Sequence, residues 1–295
     1  MDFKTKLKKY VELIEEELKK YVRSKETPEH ILNEAMEYSL LAGGKRIRPA
    51  LMISTYKLFR EDTERCMPFA VAMEMVHNFS LIHDDLPAID NDDFRHGKQT
   101  NHKKFNEATA ILAGDGLLNY AYMVIGKSMI EADEELREKQ LRALYEFSHS
   151  VDRMIAGEYV DTEYEGKQIS HQYLEYMHKN KTGALLRNSV RIGAILAGAD
   201  EKSLKDLTEY AEKIGLTFQI KDDILSEVGD EKIIGKPVGN DKKRGKCTYV
   251  TKYGLKKSQK MLDEITKEAI KVIDKYGEKA EFLKELALYI QNREK

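Results

Sequence analysis

Apolar residues recur at three- to four-residue intervals along most of this chain, and runs of alternating β-branched residues are few, so the pattern predicts helices almost throughout. Residues 1–25 place Leu7, Val11, Ile14, Leu18 and Val22 on one face between charged positions, an amphipathic helix without the apolar core of a signal peptide. Thr27-Pro28 predicts the N-cap and first position of a second helix, and Gly43-Gly44 its end. Pro68 falls in the first turn of a helix running to Asp84-Asp85. Further helices are expected at about 104–130, 134–164, 170–179, 182–198, 201–228, 255–276 and 279–293. No Pro-rich or Ser-rich linker divides them, which predicts one all-α domain over residues 1–295, a single large helical bundle.

Composition agrees and narrows the partners. A chain of 295 residues with 41% hydrophobic content can form one large core, close to the upper size of a single domain. Lys and Arg number 49 against 51 Asp and Glu, a net charge of -2 that gives no reason to expect a nucleic-acid partner. Cys66 and Cys247 lack metal-ligand spacing and speak against a disulfide framework, so a reducing cytoplasm is expected. Apolar runs such as Gly193–Ala199 fall short of a membrane span, so no stable membrane insertion is expected.

Candidate chemistry lies in the aspartates. Of three Asp-Asp pairs, Asp92-Asp93 lies among polar residues, whereas Asp84-Asp85 and Asp222-Asp223 end apolar helical stretches. A solvated or capping pair is the plain reading of either one. Two carboxylate clusters in apolar walls need protons or hard cations, and aspartate oxygens suit Mg²⁺, which prefers to be shared with substrate phosphates. A diphosphate with a carbon tail is the substrate this implies. Pro87 interrupts the helix after Asp85, so the chain can bulge and bring Asp90 back beside Asp84. Asp222 and Ser226 share one helical face, with Asp223 beside them.

Gly43-Gly44-Lys45-Arg46-Ile47-Arg48-Pro49 reads either as a helix stop followed by surface bases or as a turn presenting Lys45 and Arg48 to a second diphosphate. Arg95-His96-Gly97 adds a cation after the first aspartate cluster. Glu74 with His77, and Glu175 with His178, match the Glu-x-x-His spacing of di-iron bundles, but such sites also require an inward glutamate from each of two more helices. Gly239–Lys246 is a near miss to a phosphate loop without a preceding strand, and a cationic flap over the active site suits it better.

Gly43–Pro49, Phe79–Gly97, Ile111–Asp115, Lys181–Leu185, Phe218–Asp223 and Gly235–Gly239 together resemble the trans-isoprenyl diphosphate synthases, bacterial short-chain type, in motif order over about residues 43–254. The resemblance implies a helical bundle around a central cavity and a farnesyl diphosphate synthase activity, in a homodimer. It implies that Asp84 and Asp90 hold two Mg²⁺ ions and Asp222 a third, with Asp85 also catalytic. Arg95, Lys181 and Lys236 would neutralise the allylic diphosphate, Thr182 and Gln219 would line its site, and Lys45, Arg48, His77 and His96 would bind isopentenyl diphosphate. Phe79, five residues before Asp84 and so about 7.5 Å deeper along the helix, would close the product tunnel. Four positions depart from the family pattern: His96 for arginine, Gln99 for proline, Glu158 for glutamine and Ser226 for a third aspartate.

Overall fold

The computed structural model describes residues 2–23, 26–167, 169–228 and 248–293, and these are almost wholly helical. Helices α1 (Phe3–Lys19), α2 (His30–Leu40), α3 (Ile47–Tyr56) and α4 (Met67–Asp84) lead to a small hairpin of β1 (Phe94–Arg95) and β2 (Lys98–Gln99). After the single turn α5 (Asn101–Lys104) come the long α6 (Glu107–Glu131) and α7 (Glu134–Glu163), then α8 (His171–Lys181), α9 (Gly183–Ala197) and α10 (Glu201–Val228). The remainder forms α11 (Tyr249–Tyr253), α12 (Leu255–Ile273), a 3₁₀ segment over Asp274–Ala280 and α13 (Glu281–Asn292).

Local chemistry sets many of these boundaries. The side chains of Asp2, Asn106, Asp133 and Ser170 accept from the backbone N–H three residues on, satisfying donors that open α1, α6, α7 and α8. Removing such a cap costs about 1 kcal/mol. The expected cap at Thr27 is not one: α2 starts at His30 after Glu29, and Thr27 instead accepts from the Asn33 side chain at 3.4 Å. The expected helix over 104–130 divides at Phe105, because Asn106 caps a new start. Helix α3 was not predicted, since nearly all of its residues are buried and an all-buried helix has no polar face to reveal its period. The predicted helix to residue 276 ends at Ile273, where the 3₁₀ segment passes through Gly277 at φ 59°.

Helix α4 is apolar around its whole circumference and packs against α6, α3, α1, α2 and α9. Buried Phe69, Met73, Met75 and Val76 each stabilise this docking by about 1.5–3 kcal/mol. The main core runs from Ile14 to Ile290 without a break between the two ends of the chain. A smaller cluster of Ile220, Ile224, Tyr249, Val250 and Leu262 holds α10 to α11 and α12.

By length and composition alone α6 is apolar enough to cross a membrane, a property that the core helix of a folded domain can share. Ala110, Ala113, Leu117, Ala121 and Ile125 are buried, while Ile111, Leu112, Met123 and Ile130 are exposed. Leu141, Tyr145, Ile155 and Tyr159 form an exposed stripe along α7.

Candidate active site

Asp84 is the last residue of α4, at the negative end of the helix dipole, where a carboxylate is unfavourable and a cation is attracted. Beyond it the chain turns sharply: the Ile89 N–H reaches the Leu86 carbonyl, Asn91 adopts φ 52°, and the Asp90 N–H donates to the Asp84 carbonyl at 2.9 Å. The backbones of Asp84 and Asp90 are thereby brought together. Asp85 faces elsewhere. It is 3% exposed and receives the Arg95 guanidinium at both oxygens, with Nε at 2.9 and 2.8 Å. Burial pushes the Asp85 carboxyl up against the opposing pull of Arg95. The expected catalytic Asp85 is thus engaged with Arg95, whose guanidinium also lies 4.0 Å from Asp84 and 3.9 Å from Asp92.

Lys181 joins the first aspartate motif to the next helices. Its Nζ lies 2.7 Å from Asp161, 2.8 Å from Glu158 and 3.6 Å from Asp84. Gly157 makes this meeting possible, because a Cβ there would stand 2.2 Å from the Lys181 backbone nitrogen; α7 must carry glycine where α8 ends. Burial opposes the ammonium charge, but Asp84, Asp161 and Glu158 outweigh it and hold Lys181 protonated well above its ordinary range. Burial pushes the Glu158 carboxyl up to about 8; Lys181 opposes the rise and Asp84 adds to it. Three carboxylates around one ammonium retain a proton in this way.

A cavity of about 250 Å³ opens beside Lys181 and Asp161, with Thr182, Gln219, Asp222, Asp223 and Thr248 also in its wall. The second aspartate pair divides its work. Asp223 is 5% exposed, accepts the Tyr249 N–H at 2.7 Å, and so fixes the start of α11; Gln219 donates to its other oxygen at 3.4 Å. Asp222 pairs with Arg293, which donates to the Phe218 carbonyl at 3.1 Å and stacks 3.9 Å above the Phe218 ring.

The third group of expected site residues lies at the end of α2. Gly43 and Gly44 adopt φ 87° and 131°, a path that only glycine follows freely. Arg48 Nη1 approaches His77 Nε2 at 3.1 Å, and Lys45 Nζ lies 5.9 Å from the Tyr289 ring centre. Burial holds the His77 imidazole well below its ordinary range, with Arg48 contributing, so it is neutral and accepts from the guanidinium. His96 stands on the β1–β2 turn at φ 51°; burial and then Arg95 hold its pKa down. Phe79 is buried one turn before His83 and meets it edge-on, 4.9 Å between ring centres.

Lys236 and the Gly239–Lys246 segment lie outside the described residues. Sequence reasoning missed Asp161, whose place one turn after Gly157 was the available signal, and Arg293, for which nothing in the sequence pointed to Asp222.

The arrangement fits a hard cation at Asp84: its buried Oδ1 stands at a helix C-terminus, with the Lys181 ammonium no nearer than 3.6 Å. Among the described residues no three acidic, histidine or cysteine side chains form a ready-made metal cage. Mg²⁺ does not require one, because one or two carboxylates plus substrate phosphates and water ordinarily hold it.

Comparison with known proteins places the chain. It is 48% identical to farnesyl diphosphate synthase of Geobacillus stearothermophilus over 240 residues, 80% of this chain and 79% of the relative. It is 40% identical to farnesyl diphosphate synthase of Bacillus subtilis (strain 168) over 283 residues, 95% of each chain. The fold superposes on the crystal structure of an FPP/GFPP synthase from Zymomonas mobilis with a TM-score of 0.86 at 31% identity, covering 98% of both chains. With the polyprenyl synthetase model matching residues 29–286, the chain belongs to the polyprenyl synthetase family.

Proposed function

We propose that this single-domain protein is a farnesyl diphosphate synthase, joining isopentenyl diphosphate to dimethylallyl or geranyl diphosphate. The observation that carries the reading is the Lys181 cluster, in which one ammonium meets the carboxylates of Asp84, Glu158 and Asp161 and, with Asp161, lines a cavity also walled by Asp222. Asp84 and Asp90 would hold two Mg²⁺ ions and Asp222 a third. Bound there, Mg²⁺ supplies Lewis-acid stabilisation of the leaving diphosphate.

The chain's own residues do the rest. Lys181 and Arg95 neutralise the allylic diphosphate, Thr182 and Gln219 orient it, and Asp85 holds Arg95 in place. Lys45, Arg48, His77 and His96 seat the diphosphate of isopentenyl diphosphate. The allylic C–O bond breaks with both electrons leaving on diphosphate, and the isopentenyl double bond attacks the resulting cation. The new cation then loses a proton to the released diphosphate. Apolar α4 lies along the growing chain and excludes water, which strengthens each electrostatic contact. Phe79 closes the cavity at fifteen carbons.

The exposed apolar residues of α6 and α7 support a homodimer, in which a second copy would cover them. Cys66 is a buried free thiol pushed up to about 12 by burial, in keeping with a cytoplasmic setting. Incubating the purified chain with labelled isopentenyl diphosphate, dimethylallyl diphosphate and Mg²⁺ should give a fifteen-carbon diphosphate. Label in ten- or twenty-carbon products would revise the chain length. Absence of any product would overturn the activity and favour a non-catalytic subunit.

A further inference from the structure

The Gly43–Pro49 turn carries three cations, and the middle one turns into the protein. Arg46 is 3% exposed and left-handed at φ 47°, ψ 37°, a conformation L side chains rarely adopt. Its Nε donates to Glu15 at 2.7 Å, its Nη1 to Glu74 at 2.6 Å and its Nη2 to the Leu40 carbonyl at 2.7 Å. One planar fork therefore ties α1, α4 and the end of α2 to the turn.

Helix α4 receives both arginines of the turn. Glu74 takes Arg46, and His77, three residues on and so on the same face, takes Arg48 at 3.1 Å. The Glu-x-x-His spacing acts here as a template that registers the turn against the helix ending at Asp84, ten residues or about 15 Å beyond Glu74. The two substrate sites thus share one rigid element.

Charge has a part in it. Glu15 and Glu74 carry two negative charges against the single guanidinium of Arg46, and Glu74 Oε2 has no hydrogen-bond partner. Burial disfavours the Arg48 guanidinium, and the Glu74 charge partly offsets this. Loss of Glu74 therefore acts on Arg48 as well as on the shape of the turn.

We propose that Glu15, Arg46 and Glu74 form a clamp, buried at Arg46 and Glu74, that positions Lys45 and Arg48 for the diphosphate of isopentenyl diphosphate. Helix α1, which precedes the residues 29–286 matched by the family model, thereby becomes part of that substrate's site. The clamp rests on the prenyltransferase reading given above. These are positioning residues, and none of them needs to touch substrate.

The test uses the full chain with Glu15→Gln, Glu74→Gln, Arg46→Lys and Arg46→Met, measuring KM for each substrate separately together with kcat and melting temperature. Residues that orient a ligand-holding group typically matter about 10- to 100-fold, so Arg46→Met should raise KM for isopentenyl diphosphate by about that factor. Glu15→Gln, which keeps the volume and removes only the charge, should raise it about 3- to 10-fold, with KM for geranyl diphosphate within about twofold of the parent. Arg46→Lys should recover part of the loss. If Arg46→Met does not fold, Glu15→Gln carries the test alone. An unchanged KM for isopentenyl diphosphate in folded Glu15→Gln, or equal rises for both substrates, overturns the clamp while leaving the activity standing. No turnover by the parent protein overturns the activity, and the clamp with it.

Discussion

Glu158→Gln should stabilise the metal-free protein by an amount that depends on pH. Lys181 faces carboxylates of Asp161 at 2.7 Å, Glu158 at 2.8 Å and Asp84 at 3.6 Å, so the cluster carries more negative charge than its one ammonium can balance. Burial, with Asp84 adding to it against Lys181, pushes the Glu158 carboxyl from 4.5 up to about 8. A carboxyl with a raised folded-state pKa holds a proton that the unfolded chain has already lost. Stability is therefore full below about pH 4.5, drains away as pH rises and levels off above about pH 8. At 1.36 kcal/mol per unit, the ceiling at pH 7 is about 3 kcal/mol. Lys181 and Asp84 readjust when an amide replaces the acid, and the expected gain is about 1–2 kcal/mol. In a chain of this size that corresponds to about 2–8 °C in Tm. Thermal melts in EDTA across the range from about pH 4.5 to 8.5 should coincide at the acid end and separate towards pH 8, with Glu158→Gln the higher. Saturating Mg²⁺ should narrow the gap but not close it, because a cation at Asp84 removes that carboxylate's share of the rise and leaves the larger share, from burial. A gap independent of pH, or a lower Tm for the variant at pH 8, would refute the charge count.

Asp84→Ala and Asp222→Ala should each lower kcat by on the order of 10³, about 4 kcal/mol, with folding retained; near-normal turnover by both would remove them from the metal sites. Phe79→Ala should shift products from fifteen towards twenty carbons and lower stability by about 3–5 kcal/mol, and an unchanged product profile would place the stopper elsewhere. His96 is held down by burial and Arg95, so a bound diphosphate must raise its pKa again; KM for isopentenyl diphosphate should climb as pH rises through the value in the complex. His96→Arg should flatten that climb, and identical profiles for parent and variant would show that His96 does not titrate against substrate.

The sequence disclosed amphipathic elements best and wholly buried ones worst. Helix α10 begins and ends where its periodicity says, at Glu201 and Val228, whereas α3 shows no polar face and escaped notice. The aspartates were legible because carboxylates ending apolar runs are costly without partners. Which aspartate faces the cavity was not, since Asp84 and Asp85 are adjacent and only the fold decides that Arg95 takes the second. Arg46 and Lys45 looked alike as neighbouring bases, and their separation into buried strut and site residue depends on Glu15, thirty-one positions away.

Both chain ends reach this machinery, and that bears on how the protein is handled. Trimming to residues 29–286 would keep the whole family match yet discard Glu15, which grips Arg46, and Arg293, which pairs with Asp222. Phe3 to Glu15 spans about 18 Å of helix, room enough for an amino-terminal affinity tag to leave the clamp undisturbed. A tag after Lys295 is separated by only two residues from Arg293, whose side chain is 7% exposed and stacked on Phe218. Purification handles therefore belong at the amino end, away from the Arg293–Asp222 pair.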